Sequence, residues 1–156
     1  METPASRPFL PDGLFEGRTA FVTGGGTGLG LAVSTRLGHL GANVVCASRD
    51  VGHHEELLAR GARGGFEVMS AELDVREPDA VKEVVARAAE RFGRIDVLVN
   101  NPAGNFIAPA LKLPPKGFKA VIDIALSGVF YVSREVGRHL GGSFRIDARI
   151  HGSSRS

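Results

Sequence analysis

The feature that most constrains this 156-residue sequence is a glycine-rich turn between an apolar run and an amphipathic run. Five glycines lie within residues 24–30. The run before them predicts a strand at 19–23, and the spacing of Leu29, Val33 and Leu37 predicts a helix at about 28–39. A turn this tight needs residues that tolerate positive φ, and it needs no Cβ where a ligand or a packed strand comes close. The glycines therefore either hold a ligand or only make a bend.

Strand-like and helix-like segments alternate along the rest of the chain, which indicates an α/β protein with a parallel sheet covered by helices. Further strands are predicted at 43–48, 66–73 and 95–100. Further helices are predicted at about 55–60, at 78–92 and at 115–140. The apolar spacing in 115–140 fits one long helix or two helices joined near Gly128.

Composition and cysteine usage favour a soluble cytoplasmic protein. The 19 basic and 17 acidic residues give a net charge of only +2, and they are scattered, so we expect neither nucleic acid nor a membrane as a partner. Cys46 is the only cysteine, and we expect a buried, inert thiol in a reducing compartment. None of the five histidines has ligand spacing, so we expect no metal site and surface or capping roles, including for His53 and His54.

The surroundings of the glycine turn favour a dinucleotide. The free N–H groups of the first helical turn can stabilise a dianionic group, and no Gly-Lys-Ser/Thr follows, which disfavours a nucleoside-triphosphate loop. About twenty residues on, where an adenosine ribose would lie, the sequence reads Ser48-Arg49-Asp50. A guanidinium suits a 2′-phosphate, which favours NADP over NAD. The alternative is that Arg49 is a solvated charge beside Asp50.

Three stretches together resemble the short-chain dehydrogenase/reductase family: the glycine turn, Leu73-Asp74-Val75 and the segment Asn-Asn-Pro-Ala-Gly at 100–104. The resemblance implies an incomplete Rossmann-like doubly wound parallel sheet of about four or five strands, in the order 3-2-1-4 with a possible fifth. It also implies that Asp74 contacts adenine and that Asn100 steadies the sheet beside the cofactor. The NADP-binding residues would be Thr23, Gly24, Gly26, Thr27, Gly28, Leu29, Gly30, Ser48, Arg49, Asp74, Val75, Asn100, Ala103 and Gly104. A methyltransferase would normally carry a carboxylate where Arg49 stands, which argues against that class.

Finer detail resembles the 2,4-dienoyl-CoA reductase branch of that family, which has a similar Asn-Asn-x-Ala-Gly-Asn-Phe segment and a similar Asp-Ile-x-x-x-Gly in the next helix. Ala125 stands where most family members have an asparagine, and this branch also lacks it. The resemblance implies hydride transfer from NADPH to an unsaturated fatty acyl-CoA. Asn105 would hydrogen-bond the thioester carbonyl, and Phe106 would line the acyl channel. The alternatives are that Asn105 is only a turn residue of the loop and that Phe106 only anchors the core.

The C-terminal sequence departs from the family. Tyr131 is followed four places later by Glu135, and Lys119 is the last lysine, so the Tyr-x-x-x-Lys pair is absent from this sequence. We therefore expect a chain that ends prematurely: an N-terminal extension at 1–17, an NADP-binding domain at 18–142 and an atypical tail at 143–156, at best an edge strand. Its activity is doubtful, and the alternative is an inactive dinucleotide-binding or regulatory module. The apolar stripe of 115–140 predicts a homo-oligomer or aggregation.

Overall fold

The structure is a computed structural model that describes residues 10–102 and 108–140. In this part of the chain, four strands alternate with helices on both faces of a parallel sheet ordered β3-β2-β1-β4. The elements are β1 (Thr19–Thr23), α1 (Gly28–His39), β2 (Asn43–Ser48), α2 (Glu55–Gly64), β3 (Val68–Glu72), α3 (Pro78–Phe92), β4 (Val97–Val99), α4 (Pro115–Ile122) and α5 (Val129–His139). The predicted α/β class and the strand order 3-2-1-4 are confirmed.

The sheet separates two apolar clusters, because successive strand residues point to opposite faces. Phe21 and Val45 face α3 and α5, whose buried valines complete that cluster. Val22, Val44 and Cys46 face the other way, against Leu57 of α2 and the partly buried leucines of α1. All five residues of β1 are buried, as expected for the central strand of a sheet that is covered on both sides.

Most element boundaries agree with the sequence prediction. The bounds of β1, α1, β2 and α3 are the predicted ones. α2 is longer than predicted and ends where Gly65 adopts a left-handed φ of 72°. β4 is shorter than the predicted 95–100, because its ladder with β1 covers only Val97 to Val99. Ile95 instead forms an isolated parallel bridge with Leu140, and the possible fifth strand lies outside the described residues.

The segment from α4 to α5 is one continuous helix with a change of hydrogen-bonding pattern in its middle. Residues Asp123–Gly128 form a π-helical segment, and both junction residues, Asp123 and Gly128, have right-handed helical dihedrals. Gly128 passes close to the loop after β3, where an added Cβ would lie 2.5 Å from Cγ2 of Val75. The predicted joint near Gly128 is therefore a local rewinding of one helix.

Asp96 ties together the amino ends of β1 and β4, opposite the glycine turn. Its side chain is 7% exposed, and it accepts hydrogen bonds from the Thr19 N–H and from Nη1 of Arg18, each at 3.0 Å. Arg94 is a second ion-pair partner. Burial by itself raises the pKa of this carboxyl, but the Thr19 amide and the two guanidinium groups outweigh it and hold the pKa below its usual value.

The Asp96→Asn variant should lose about 1–3 kcal/mol of unfolding free energy at pH 7, because an amide nitrogen then faces two guanidinium groups. Glu83→Gln removes the same charge from the exposed face of α3 and should change stability by less than about 0.5 kcal/mol. Urea denaturation would measure both. A carboxylate with a lowered pKa stabilises the fold above its unfolded pKa of about 3.9 and stops doing so as the pH falls through its folded pKa. The gap between the variants should therefore close in acid, and equal stabilities at pH 7 would contradict this role.

Candidate functional site

A cavity of about 440 Å³ lies at the carboxyl ends of the strands. In open parallel sheets, ligands bind at this edge, where the strand order reverses, and here it reverses at β1. The residues that line the cavity are Thr23, Gly24, Gly26, Thr27, Gly28, Leu29, Ala47, Ser48, Arg49, Asp50, His53, Leu73, Asp74, Val75, Asn101, Pro102 and Ile124. Five stretches of the sequence thus converge on one space, at 23–29, 47–53, 73–75, 101–102 and 124.

Most of the sequence-predicted site residues are in this lining, but two described ones are not. Gly30 packs beneath the turn and Asn100 points elsewhere, and neither is among the lining residues. The predicted residues Ala103, Gly104, Asn105 and Phe106 lie outside the described part of the chain. The described lining therefore covers the glycine turn, the end of β2 and the loop after β3.

The glycines of the turn serve two different purposes. Gly24 and Gly28 have left-handed φ angles of 62° and 52°. A Cβ on Gly24 would lie 2.3 Å from the carbonyl oxygen of Asn101, and one on Gly30 would lie 1.9 Å from the carbonyl oxygen of Gly24, so these two glycines allow backbone to pack on backbone. At Gly28 an added Cβ would meet nothing within 4 Å. The open space of the cavity thus lies over Gly28.

The amino end of α1 is suited to a negatively charged group. Its N-cap residue, Thr27, makes no side-chain cap hydrogen bond, and the first turn contains no acidic residue. The first N–H groups of a helix have no intrahelical partner, and they lie at the positive end of the helix dipole. Because Thr27, Gly28 and Leu29 line the cavity, it can hold a phosphate group there.

Arg49 contributes an exposed guanidinium to the far side of the cavity. The neighbouring Asp50 accepts a hydrogen bond from the Gly52 N–H at 2.9 Å, and Oδ2 of Asp50 lies 3.5 Å from Nε2 of His53. Asp50 therefore has partners of its own, and the exposed Arg49 makes no ion pair with it within the described residues. A cation is thus available beside the cavity.

Asp74 is held as an ionised, fixed acceptor. Its carboxylate receives hydrogen bonds from Nε of Arg76 at 2.9 and 3.0 Å, from Nη2 of Arg76, and from the Arg76 N–H at 3.0 Å. The hydrogen bonds with Arg76 are the main reason that the pKa of Asp74 lies below its usual value, and the charge of Arg49 adds to the effect while burial opposes it. A carboxylate fixed in this way can accept a hydrogen bond from a ligand in the cavity.

Asn101 fastens the glycine turn to the end of β4, a role that the sequence pattern did not predict. The Asn101 N–H donates to Oγ1 of Thr23 at 2.9 Å, and its side-chain amide donates to the Gly24 carbonyl at 3.2 Å, so it locks the glycine turn against the end of β4. The Asn100 amide donates instead to Oγ of Ser133 in α5, at 2.9 Å. Adjacent residues of an extended chain point to opposite sides, which is why the side chains of Asn100 and Asn101 have different partners.

Two further sequence expectations had different outcomes. Cys46 is buried, so the predicted buried thiol is confirmed, and burial raises the pKa of this thiol to about 12 against an opposing hydrogen bond with the Gly25 backbone. The predicted surface or capping role of His54 is wrong. His54 is fully buried, because its ring fits between Ser48 at the end of β2 and Ser70 in the middle of β3, an environment that sequence spacing does not reveal.

No group of three or more histidine, cysteine or acidic side chains in 10–102 and 108–140 could hold a metal ion. No helix within those ranges is long and apolar enough to cross a membrane.

Comparison with known proteins gives one consistent family. The family model described as short chain dehydrogenase matches residues 18–147. A probable 2,4-dienoyl-CoA reductase of Bacillus subtilis is 39% identical over 124 residues, which are 80% of this chain and 49% of that protein. A peroxisomal 2,4-dienoyl-CoA reductase of Pongo abelii is 41% identical over 128 residues, 81% of this chain and 43% of that protein.

The solved structures agree with the sequence relatives. A citronellol catabolism dehydrogenase of Pseudomonas aeruginosa superposes with a TM-score of 0.78 at 36% identity, covering 85% of this chain and 54% of that one. A putative short-chain alcohol dehydrogenase of Sinorhizobium meliloti superposes with a TM-score of 0.77 at 29% identity, covering 83% and 51%. The chain thus spans about half the length of the proteins it matches.

Proposed function

This chain belongs to the short-chain dehydrogenase/reductase family of oxidoreductases, and on that basis we propose that its cavity binds NADP and that it is the cofactor-binding part of a reductase for unsaturated fatty acyl-CoA thioesters. The observation that carries the proposal is the single cavity that joins the glycine turn, Arg49 and Asp74. The 2,4-dienoyl-CoA reductases among its relatives support the substrate class. The family itself uses nicotinamide dinucleotides.

The described residues fit a dinucleotide. The open space over Gly28 and the uncapped amides of α1 would take the diphosphate. Arg49 would pair with the 2′-phosphate, and the fixed carboxylate of Asp74 would accept a hydrogen bond from the adenine amino group. Ser48 and Val75 would complete the adenosine side of the site. When bound, the cofactor supplies the hydride, and this part of the chain binds and orients it.

The nicotinamide and substrate side of the site is proposed from the resemblance alone. Ala103 and Gly104 would contact the cofactor, Asn105 would hydrogen-bond the thioester carbonyl, and Phe106 would line the acyl channel. A donor fixed beside a developing oxyanion is usually the largest single contribution to catalysis of this kind. The proposed domain at 18–142 would hold these parts, with 1–17 as an extension and 143–156 as an atypical tail.

A second candidate is a dinucleotide-binding module without turnover. Tyr131, the only tyrosine of the sequence, packs against the core beside Phe130 in α5 and is not among the cavity-lining residues. It therefore does not supply an acid at the described site. NADPH oxidation with a dienoyl-CoA separates the candidates: steady turnover supports the reductase, and tight NADPH binding without turnover supports the module.

The cytoplasm remains the proposed compartment. The single cysteine is a buried free thiol, which fits a reducing environment. Relatives include proteins named as peroxisomal, so the distribution of a fluorescent fusion between cytoplasm and organelles is the deciding measurement.

Titration of the purified chain with NADPH and NADH tests the cofactor proposal directly. We expect tighter binding of NADPH, and the Arg49→Gln variant should weaken NADPH binding by about 10- to 100-fold, because a charge-assisted pair with the 2′-phosphate is lost. NADH binding should change little. Arg87→Gln, on the exposed face of α3 and away from the cavity, is the matched control and should change neither affinity. Equal losses for both cofactors in Arg49→Gln would refute the phosphate role, and a chain that binds neither cofactor would refute the proposed function.

A glycine pair separates the binding role of the turn from its folding role. Gly28 and Gly65 both have positive φ and open space around an added Cβ, so alanine at either position should cost about 1–2 kcal/mol of stability through backbone strain. Only Gly28 lines the cavity. Gly28→Ala should therefore weaken NADPH binding, measured by fluorescence, while Gly65→Ala should leave it unchanged. Similar affinities in the two variants would place the dinucleotide elsewhere.

We also propose that the continuous helix from α4 to α5 mediates self-association. Phe118, Leu126 and Phe130 are 58%, 64% and 58% exposed along it, which is unusual for side chains of this size. Light scattering at micromolar concentration should show a dimer or larger species, and Phe130→Gln should shift the distribution towards the monomer. Leu111→Gln, which removes a fully exposed leucine before α4, should not. A parent chain that is monomeric at high concentration would contradict the proposal.

A further inference from the structure

His54 is a fully buried polar side chain that the proposed binding site does not use directly. Its Nε2 lies 2.7 Å from Oγ of Ser48, at the end of β2, and its Nδ1 lies 2.7 Å from Oγ of Ser70 in β3. Ser48 immediately precedes Arg49. The imidazole therefore ties the turn that carries the cation to the neighbouring strand.

The hydrogen bonds assign one tautomer to this ring. The Ser48 hydroxyl donates its only proton to the carbonyl of Asp50 at 3.0 Å, so its oxygen must accept from an N–H at Nε2 of His54. Nδ1 then carries no proton and accepts from the Ser70 hydroxyl. Burial, with His53 close by, lowers the pKa of His54 against the opposing charge of Asp50, which keeps this neutral form at pH 7.

The same residue reaches the glycine turn. A Cβ on Gly26 would lie 2.4 Å from the His53 carbonyl oxygen and 2.9 Å from Cδ2 of His54, so the turn packs directly on the His53–His54 segment. The buried ring of His54 thus contacts two parts of the cavity wall, which are the glycine turn and the Ser48-Arg49-Asp50 turn. The Ser48 backbone is held as well, because its carbonyl accepts from the Leu73 N–H at 2.9 Å.

We propose that His54 is a positioning residue that sets the cofactor preference of the site by fixing Ser48, and through it the direction in which Arg49 approaches the 2′-phosphate. The inference rests on the proposed function. Because the proton of Ser48 is already committed to Asp50, the hydroxyl does not donate to the phosphate, and discrimination between NADPH and NADH falls to Arg49. A guanidinium pairs well only in a narrow range of directions, so the fixed turn matters more for NADPH than for NADH.

The experiment compares two substitutions of His54 with the parent chain. His54→Leu fills the site with an apolar side chain and removes both ring hydrogen bonds, so the NADPH/NADH affinity ratio should fall by about 3- to 10-fold, the equivalent of one hydrogen bond. His54→Gln offers one amide donor and one carbonyl acceptor, as the neutral ring does, and should keep the ratio within about twofold of the parent. A residue needed only for folding would weaken both cofactors equally and leave the ratio unchanged.

A second pair of variants covers the case in which His54→Leu does not fold. Ser70→Ala removes only the far hydrogen bond of the ring, at a position that is not among the residues lining the cavity of about 440 Å³. It should lower the ratio in the same direction, by about 2-fold or more. Ser34→Ala is the matched control, since the Ser34 hydroxyl in α1 is buried and has no hydrogen-bond partner within the described residues.

The outcomes separate this inference from the proposed function. A folded His54→Leu or Ser70→Ala variant with the parent ratio overturns the positioning role while NADPH binding by the parent still supports the function. A ratio that falls in Ser70→Ala and stays constant in Ser34→Ala and His54→Gln supports it. A parent chain that binds neither cofactor overturns both.

Discussion

The contact between two stretches of backbone at Gly24 is the constraint on which the rest of the site depends. The Asn101 carbonyl lies where a side chain at position 24 would be, and the Gly24 carbonyl lies where one at position 30 would be. Because these approaches are so close, the end of β4 can hydrogen-bond to the turn through Asn101 and Thr23, and α1 can begin directly against the sheet. The open cavity over Gly28 follows from that packing. A bend without the contact would leave the amino end of α1 displaced from the strands.

Among the described residues at the cavity, Asp50 and Asp74 have other partners, so the guanidinium of Arg49 is available to a ligand. Asp74 is bound by Arg76, and Asp50 caps the short turn that follows it. Arg49 adds to the local positive potential without taking part in either contact. The buried His54 acts one layer below, where the low dielectric makes its hydrogen bonds to Ser48 and Ser70 stronger and the loss of either more costly. In the proposed site, affinity for phosphate and the stiffness of the turn that presents Arg49 would therefore come from different residues.

This chain corresponds to about half the length of the family members that it matches. The matches in sequence and in structure cover most of this chain and about half the length of the relatives. Within that half lies the cavity proposed to bind a dinucleotide, but the only tyrosine of the sequence packs against the core. Cofactor binding and catalytic turnover must therefore be tested separately for this chain. The exposed phenylalanines of α4 and α5 make its oligomeric state a further property to test.

The sequence pattern determined the α/β class and the bounds of β1, α1, β2 and α3, because burial on two faces imposes a periodicity that neighbouring residues reveal. The strand order was implied by the family resemblance. The sequence also predicted a binding role for the turn and for Arg49 from their places after β1 and β2, and for Asp74 through the family resemblance. Only the tertiary structure brought Asn101 against the glycine turn, ended β4 early and buried His54. Those outcomes depend on contacts between segments distant in the sequence: the ring of His54 is buried because Ser70 and Gly26 come to lie around it, and no local pattern records their approach.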